Sequence, residues 1–211
     1  MGKNITKLLG IAGSPLSAQP VSLNLPAYVA PKIEAELREL LTAKNGFYAF
    51  EQALHVLPSQ SMGESNGLDS WNTPGLWISN YGGLAEGCYF FAEDIFGVQF
   101  CIRSDGIFTF DPESGALEAV AGSIDDWANA ILGKYEILTG YPLAHAWQME
   151  NGRINPGQRL VPKQPFVAGG AFTVQNLYAV DAVAGMRQRA NLATQIRDLP
   201  DGAAITLKVV D

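Results

Sequence analysis

Between residues 87 and 120 the chain alternates short apolar runs with turn residues, and this spacing leaves room only for antiparallel pairing. Val98, Phe100 and Ile102 alternate with Gln99, Cys101 and Arg103, the period of a strand with one buried face. Ser104-Asp105-Gly106 reads as a hairpin turn, because glycine accepts positive φ there, and 107–110 returns from it. Residues 94–97 form the turn before, Asp111-Pro112-Glu113-Ser114-Gly115 the turn after, and 116–120 the next strand. The aromatic, apolar run 87–92 opens the series. Parallel strands would need crossovers of a dozen or more residues. The expectation is a β-meander and, with the helices around it, an α+β fold: helices packed on a mainly antiparallel sheet.

Helical periods flank the meander. Val29, Ile33, Leu37, Leu40 and Leu41 share one stripe, and Asn45-Gly46 stops it. Ser123 with Asp126 three residues on is a capping-box-like start, followed by the stripe Ile124, Trp127 and Ile131. Gly133 and Gly140 interrupt this helical region, and Pro142 opens a further helix through Trp147. Val183, Met186, Ala190 and Ala193 mark a last helix, with Arg187, Arg189 and Arg197 on its outer face. Residues 1–26, broken by glycine and proline, are expected to be an arm or loop. A short helix is expected through Ala53-Leu54, loops over 58–74 and 150–172, and strands at 174–178 and after Asp201-Gly202. The chain is read as one domain, 1–211, with a core at 27–135 and a C-terminal extension, 136–211, packed on it.

Charge is confined rather than spread. Residues 47–126 hold twelve acids against one base, Arg103, a net of −11. The flanks, 1–46 and 127–211, are each at +2. Such a field selects and speeds a cationic partner. It opposes binding to a phosphate backbone, which needs lysine and arginine at the contact, so no nucleic acid is expected as a partner. Apolar residues make up 47% of the chain, enough for a packed core, yet no run approaches the ~20 apolar residues of a membrane span. Lys3 and Lys7 have no long apolar run behind them, so no secretory signal is read and a cytoplasmic location is expected.

No reaction centre is legible. His55 and His145 fall in helical surroundings, far apart, and no nucleophile elbow accompanies them. Cys88 and Cys101 have no metal-ligand spacing; they read as reduced thiols that paired strands bring near each other. Glu93, Asp94, Asp105 and Asp111 end adjacent strands, where they either converge as a catalytic or cation-binding set or serve the turns through local backbone bonds. Gly82-Gly83 and Gly169-Gly170 lack the lysine and hydroxyl partners of a phosphate loop. Trp71, inside a polar loop, is expected to be partly exposed as an anchor ringed by carboxylates. The alternative is a loop tryptophan folded back on the domain.

Three stretches resemble one known family when taken together. They are Asn45-Gly46-Phe47-Tyr48-Ala49-Phe50-Glu51-Gln52-Ala53-Leu54-His55-Val56; Phe91-Ala92-Glu93-Asp94-Ile95-Phe96-Gly97 running into Gln99-Phe100-Cys101-Ile102; and Phe110-Asp111-Pro112-Glu113-Ser114-Gly115, with the Ile124-Asp125-Asp126-Trp127 helix behind it. The set resembles the SUKH superfamily, which includes the yeast cell-wall-assembly regulator and many bacterial proteins. The likeness covers roughly 45–135. Residues 162–170 and 199–202 look like the C-terminal extension of one bacterial subgroup. The resemblance implies helices on a mainly antiparallel sheet, no catalytic residues and no cofactor. It also implies a cytoplasmic immunity protein that binds and neutralises a cognate secreted toxin with a basic surface. On that reading the contact face is Glu64, Asp69, Trp71, Glu86, Glu93, Asp94 and Asp105. A regulatory scaffold domain and a carboxylate-dependent hydrolase are the alternatives.

Overall fold

The computed structural model describes residues 1–62, 65–200 and 202. Six strands follow one another across a sheet in chain order: β1 (Phe47–Ala49), β2 (Leu54–Val56), β3 (Tyr89–Asp94), β4 (Gln99–Arg103), β5 (Gly106–Phe110) and β6 (Leu117–Ala121). Each is antiparallel to the next. With its helices the molecule is α+β, and the meander is the expected one. One expectation about it fails. Gln99 and Cys101 are as fully buried as Phe100 and Ile102, so β4 is covered on both faces. The alternation of β4 marks which side chain goes to which layer, not a wet side.

On one face lie α1 (Lys3–Ile11), α2 (Pro31–Ala43) and α4 (Ile124–Leu138). Trp127 of α4 stands edge-on to Phe91 and Phe100, with ring centres 5.0 and 5.5 Å apart. The helix starts are tied by acids, which suit the positive end of a helix dipole. Ser123 Oγ accepts from Asp126 N at 3.1 Å, the expected cap. Glu36 accepts from Ile124 N at 2.8 Å, and Asp125 accepts from Asn4 N and Ile5 N at 2.9 Å. The start of the chain is therefore not a plain arm: α1 buries Ile5 and Leu8 completely. Residues 13–17 then bond along β1, Gly13 N to Tyr48 O at 2.8 Å and Leu16 N to Gly46 O at 2.9 Å, which protects a sheet edge.

The other face is aromatic. Trp77 lies 4.8 Å from Phe90, 5.6 Å from Trp71 and 5.6 Å from Tyr81. Over this layer comes α6 (Ala182–Ile196). Met186 is fully buried, and its carbonyl is 3.1 Å from the Tyr81 hydroxyl. Residues 150–172, expected as loop, contain β7 (Gln158–Pro162). It pairs with β8 (Leu177–Asp181), which starts three residues later than the strand expected at 174–178. Leu160 N donates to Ile95 O at 2.8 Å, joining this small sheet to the β3–β4 turn.

The helix expected through Ala53-Leu54 is a tight reversal between β1 and β2. Phe50, Glu51 and Gln52 have φ of 51°, 52° and 72°, a left-handed run that L-residues rarely adopt. Helix α5 (Tyr141–Asn151) clamps it. His145 Nδ1 is 2.8 Å from Glu51 Oε2, Gln148 donates to Glu51 O at 3.0 Å, and Phe50 stacks on Tyr135 at 5.1 Å. The strand expected after Asp201-Gly202 lies outside the described residues.

Candidate functional site

The twelve acids of 47–126 separate into groups with different work. Glu64 lies outside the described residues. Glu51, Asp69, Glu86, Asp105, Glu118 and Asp126 are exposed; Asp111 and Asp125 are half-buried; Glu93, Asp94 and Glu113 are buried. Of the expected contact residues, Asp69, Glu86 and Asp105 gather at the end of the sheet where β3 begins and β4 finishes. Asp69 is held by Ser61, whose N and Oγ donate to its Oδ1 at 2.9 and 2.7 Å. Glu86 precedes β3 and Asp105 sits in the β4–β5 turn. The segment's only base is already committed: Arg103 Nη1 donates to Glu86 O at 3.0 Å and lies 3.2 Å from Cys88 Sγ. Among the described residues none of Asp69, Glu86, Asp105, Glu118 and Asp126 is in an ion pair. A cleft of about 370 Å³ opens beside them, bordered by Asp69, Asn72, Cys88, Tyr89 and, from the arm, Ser22 and Asn24.

Trp71 is not part of that surface. It is 1% exposed, and its Nε1 donates to Gln99 Oε1 at 2.8 Å inside the aromatic layer. The loop around it forms a single helical turn, α3 (Leu68–Trp71), which lays Leu68 and Trp71 together on the sheet. Their spacing of three was the available signal. A tryptophan whose ring and N–H are both satisfied inside gains nothing by facing water.

Glu93 and Asp94 are corrections of the same kind, because β3 is buried along its whole length. Glu93 Oε1 is 2.9 Å from His55 Nδ1 and 2.9 Å from Arg159 Nη2, and its Oε2 accepts from Gln99 Nε2 at 3.1 Å. Arg159, from β7, is 1% exposed; its Nη1 donates to Gln158 O at 2.8 Å, and its guanidinium lies 5.7 Å from the centre of the Tyr48 ring. The Arg159–Glu93 contact is a close ion pair, but among the described residues Nη2 has no acceptor along an N–H direction and Nε has none at all. Burial opposes ionisation of Glu93, yet Arg159, His55 and Gln99 outweigh it and hold the carboxyl at about 2. An ionised carboxylate only accepts, so His55 carries a proton on Nδ1. Burial pushes the His55 pKa down, against the pull of Glu93.

Asp94 behaves oppositely. Burial pushes it up to about 8, although its Oδ1 accepts from Phe96 N and Val98 N, both at 2.8 Å. These bonds, and those of Asp111 Oδ1 from Glu113 N at 2.7 Å and Ser114 N at 3.0 Å, are the turn-forming role of aspartate. Asp94, Asp111 and Glu118 border one cleft of about 330 Å³, whereas Asp105 lies at the opposite end of β4. Among the described residues no three His, Cys, Asp or Glu side chains are placed to hold a metal ion.

Three sequence readings shift on geometry. His55 sits on a strand, and the hydrogen bonds of the described residues give its Nε2 no hydroxyl or thiol partner. Arg189, expected on an outer face, is 5% exposed; its guanidinium bonds Phe96 O and Gly185 O. Arg187 and Arg197 reach back to Leu76 O at 2.7 Å and Gly82 O at 3.2 Å. The basic stretch thus grips carbonyls of the sheet's aromatic cover.

No protein-family model matches the chain, and no curated protein sequence matches it. Among solved structures it is similar to Atu4351 from Agrobacterium tumefaciens, with 15% identity and a TM-score of 0.54 over 90% of this chain and 88% of that one. At that identity the likeness is one of fold. Among the described residues no helix is long and apolar enough to cross a membrane.

Proposed function

We propose that this chain is a SUKH-like, cytoplasmic immunity protein that binds a cognate secreted bacterial toxin and covers its basic active site. One observation carries the reading: Asp69, Glu86 and Asp105 share one end of the sheet, face solvent, and have no ion-pair partner among the described residues. Uncompensated exposed charge on a rigid sheet end steers an oppositely charged partner and fixes its orientation. The Asp69 carboxylate is positioned by Ser61, and the backbone that carries Glu86 is held through its carbonyl by Arg103. The docking face is therefore narrower than the sequence implied: Trp71, Glu93 and Asp94 belong to the interior and serve to hold it.

The test is whether a toxin-like gene stands next to this one and whether its purified product binds, measured by calorimetry at several salt concentrations. Affinity should fall steadily with salt, and Asp69→Lys with Glu86→Lys and Asp105→Lys should weaken it roughly 100-fold, since like charges brought together cost several kcal/mol. Glu118→Lys, away from that end, should change it little. An affinity indifferent to both salt and the triple reversal would end the proposal.

A further inference from the structure

Beside the acidic sheet end lies a pair of thiols. Cys101 stands opposite Phe90 in the register of β3 and β4, and Cys88 lies two residues before Phe90. Cys88 immediately precedes β3, and carrying the strand register back two residues from Phe90 puts it diagonal to Cys101. Each thiol is the strongest influence on the protonation of the other, which requires their close approach, and both are free. Arg103, two residues past Cys101, completes the group with Nη1 3.2 Å from Cys88 Sγ. The two sulfurs differ in access: Cys101 is 0% exposed, while Cys88 is half-buried on the wall of the 370 Å³ cleft. Gly87, at φ 72°, precedes Cys88, and the Arg103 guanidinium lies 3.8 Å from the space where a Cβ on Gly87 would stand.

We propose that Cys88 and Cys101 form a hydroperoxide-responsive dithiol, in which Cys88 reacts first and Cys101 closes a reversible internal disulfide. The Cys88 thiolate attacks one oxygen of the hydroperoxide, the O–O bond breaks, and the other oxygen leaves as water or alcohol with the proton the thiol gave up. Cys88 is then a sulfenic acid. Cys101 sulfur displaces its hydroxyl, which departs as water with the Cys101 proton, and the S–S bond forms. Two thiols have supplied the two electrons that reduce one peroxide. A dithiol reductant reverses the step.

The order of events follows from the surroundings. The hydrogen bond from Cys101, and then the Arg103 guanidinium, outweigh burial and hold the Cys88 thiol at about 7, while the same contact and burial push Cys101 far up. Tyr28, Asp69, Glu86, Tyr89 and Asp105 are the other titratable groups at this end of the sheet. At pH 7 about half of Cys88 is thiolate, against about one part in a hundred for a thiol at its ordinary 9.0. The roughly 50-fold gain is offset about eightfold by the weaker nucleophilicity of a less basic sulfur, leaving alkylation about sixfold faster than for an unperturbed thiol. The inference rests on the thiol geometry and does not depend on the docking reading.

The experiment treats the whole protein with a few equivalents of hydrogen peroxide, blocks remaining thiols and maps peptides without reduction. A Cys88–Cys101 linked peptide that disappears with dithiothreitol is the expected result. Cys101→Ser should instead leave a dimedone-reactive sulfenic acid on Cys88, and Arg103→Gln should raise the pH midpoint of Cys88 alkylation above its wild-type position near 7. Two free thiols surviving peroxide that oxidises free cysteine, or a Cys88–Cys88 link between chains in place of the internal one, would overturn the proposal. The wild-type map needs no variant, so a misfolded substitution cannot decide the outcome.

Discussion

Replacing Arg159 by Met should destabilise the protein more than any surface change, and two routes give a similar size. Arg159 and Glu93 are each 1% exposed, and removal of one partner of a buried pair leaves an uncompensated charge, at about 3–5 kcal/mol. Holding Glu93 at about 2 against an ordinary 4.5 corresponds to about 3–4 kcal/mol at ~1.4 kcal/mol per pH unit, with Arg159 the largest favourable contributor beside His55 and Gln99. The folded pKa is depressed, so this contribution is present above pH 4.5 and is lost as pH falls toward 2. In Arg159→Met the carboxyl loses its main counter-charge and its pKa rises. The cost should then be largest at pH 7 and shrink at pH 4.5, where Glu93 can neutralise itself. Urea denaturation followed by tryptophan fluorescence at both pH values reads this directly. At pH 7 the melting temperature should drop by roughly 6–20 °C, at 2–4 °C per kcal/mol for a chain of this size. Adding Glu93→Gln to Arg159→Met removes the stranded charge and should restore part of the loss. A cost under about 1 kcal/mol at pH 7, or a double variant as unstable as both singles combined, would refute the pairing argument.

Asp94, held up at about 8, gives stability that is fully present below its ordinary 3.8 and drains as pH rises toward 8. Asp94→Asn keeps an oxygen for Phe96 N and Val98 N, so its stability relative to wild type should improve by about 1.4 kcal/mol per pH unit between pH 5 and 7 in parallel urea titrations. His55 is depressed by burial, so its contribution is present above 6.5 and lost as pH falls below that; His55→Gln should flatten the wild-type decline measured from pH 6.5 to 5.5. Ser123→Ala, which frees Asp126 N, should cost about 1 kcal/mol, and Ser123→Asp should restore it in the same thermal assay. Gly97 has φ 76°, and a Cβ there would stand 2.6 Å from Arg189 Nη2, so Gly97→Ala should lower stability by roughly 2–3 kcal/mol in urea.

The meander was legible because its signals are local: period-two runs, and turns whose aspartates and glycines work within four residues. The cap at Ser123 and the stripe of α2 are local too. What failed to show was long-range. Nothing near Glu93 in the sequence announces Arg159, which arrives from a strand hidden between Pro156 and Pro162. Ile5 and Leu8 of α1 have one short stripe between them, and only contact with α4 gives it weight. The left-handed run Phe50–Gln52 has helix-compatible residue types; the clasp of Glu51 by His145 and Gln148 from α5 overrides them. A charge count could locate the acidic segment but could not tell an acid that faces water from one that meets an arginine inside.

The two ends of the sheet explain the lopsided charge together. At the end where β3 finishes, Glu93, Asp94 and Glu113 are buried beneath the C-terminal extension, which supplies Arg159 for the first and brings the positive field of Arg189 to the other two. Val167 N of the extension also donates to Glu113 Oε2 at 2.9 Å. At the end where β3 begins, Asp69, Glu86 and Asp105 have no ion-pair partner among the described residues, and Arg103 is spent on a carbonyl and a thiol. A buried acid is either paired, as Glu93 is, or pushed toward its neutral form, as Asp94 and Glu113 are, whereas an exposed acid keeps its charge. Burial thus silences the acids at one end, with Arg159 drawn inside to balance Glu93, and the net charge that a partner meets is concentrated at the other.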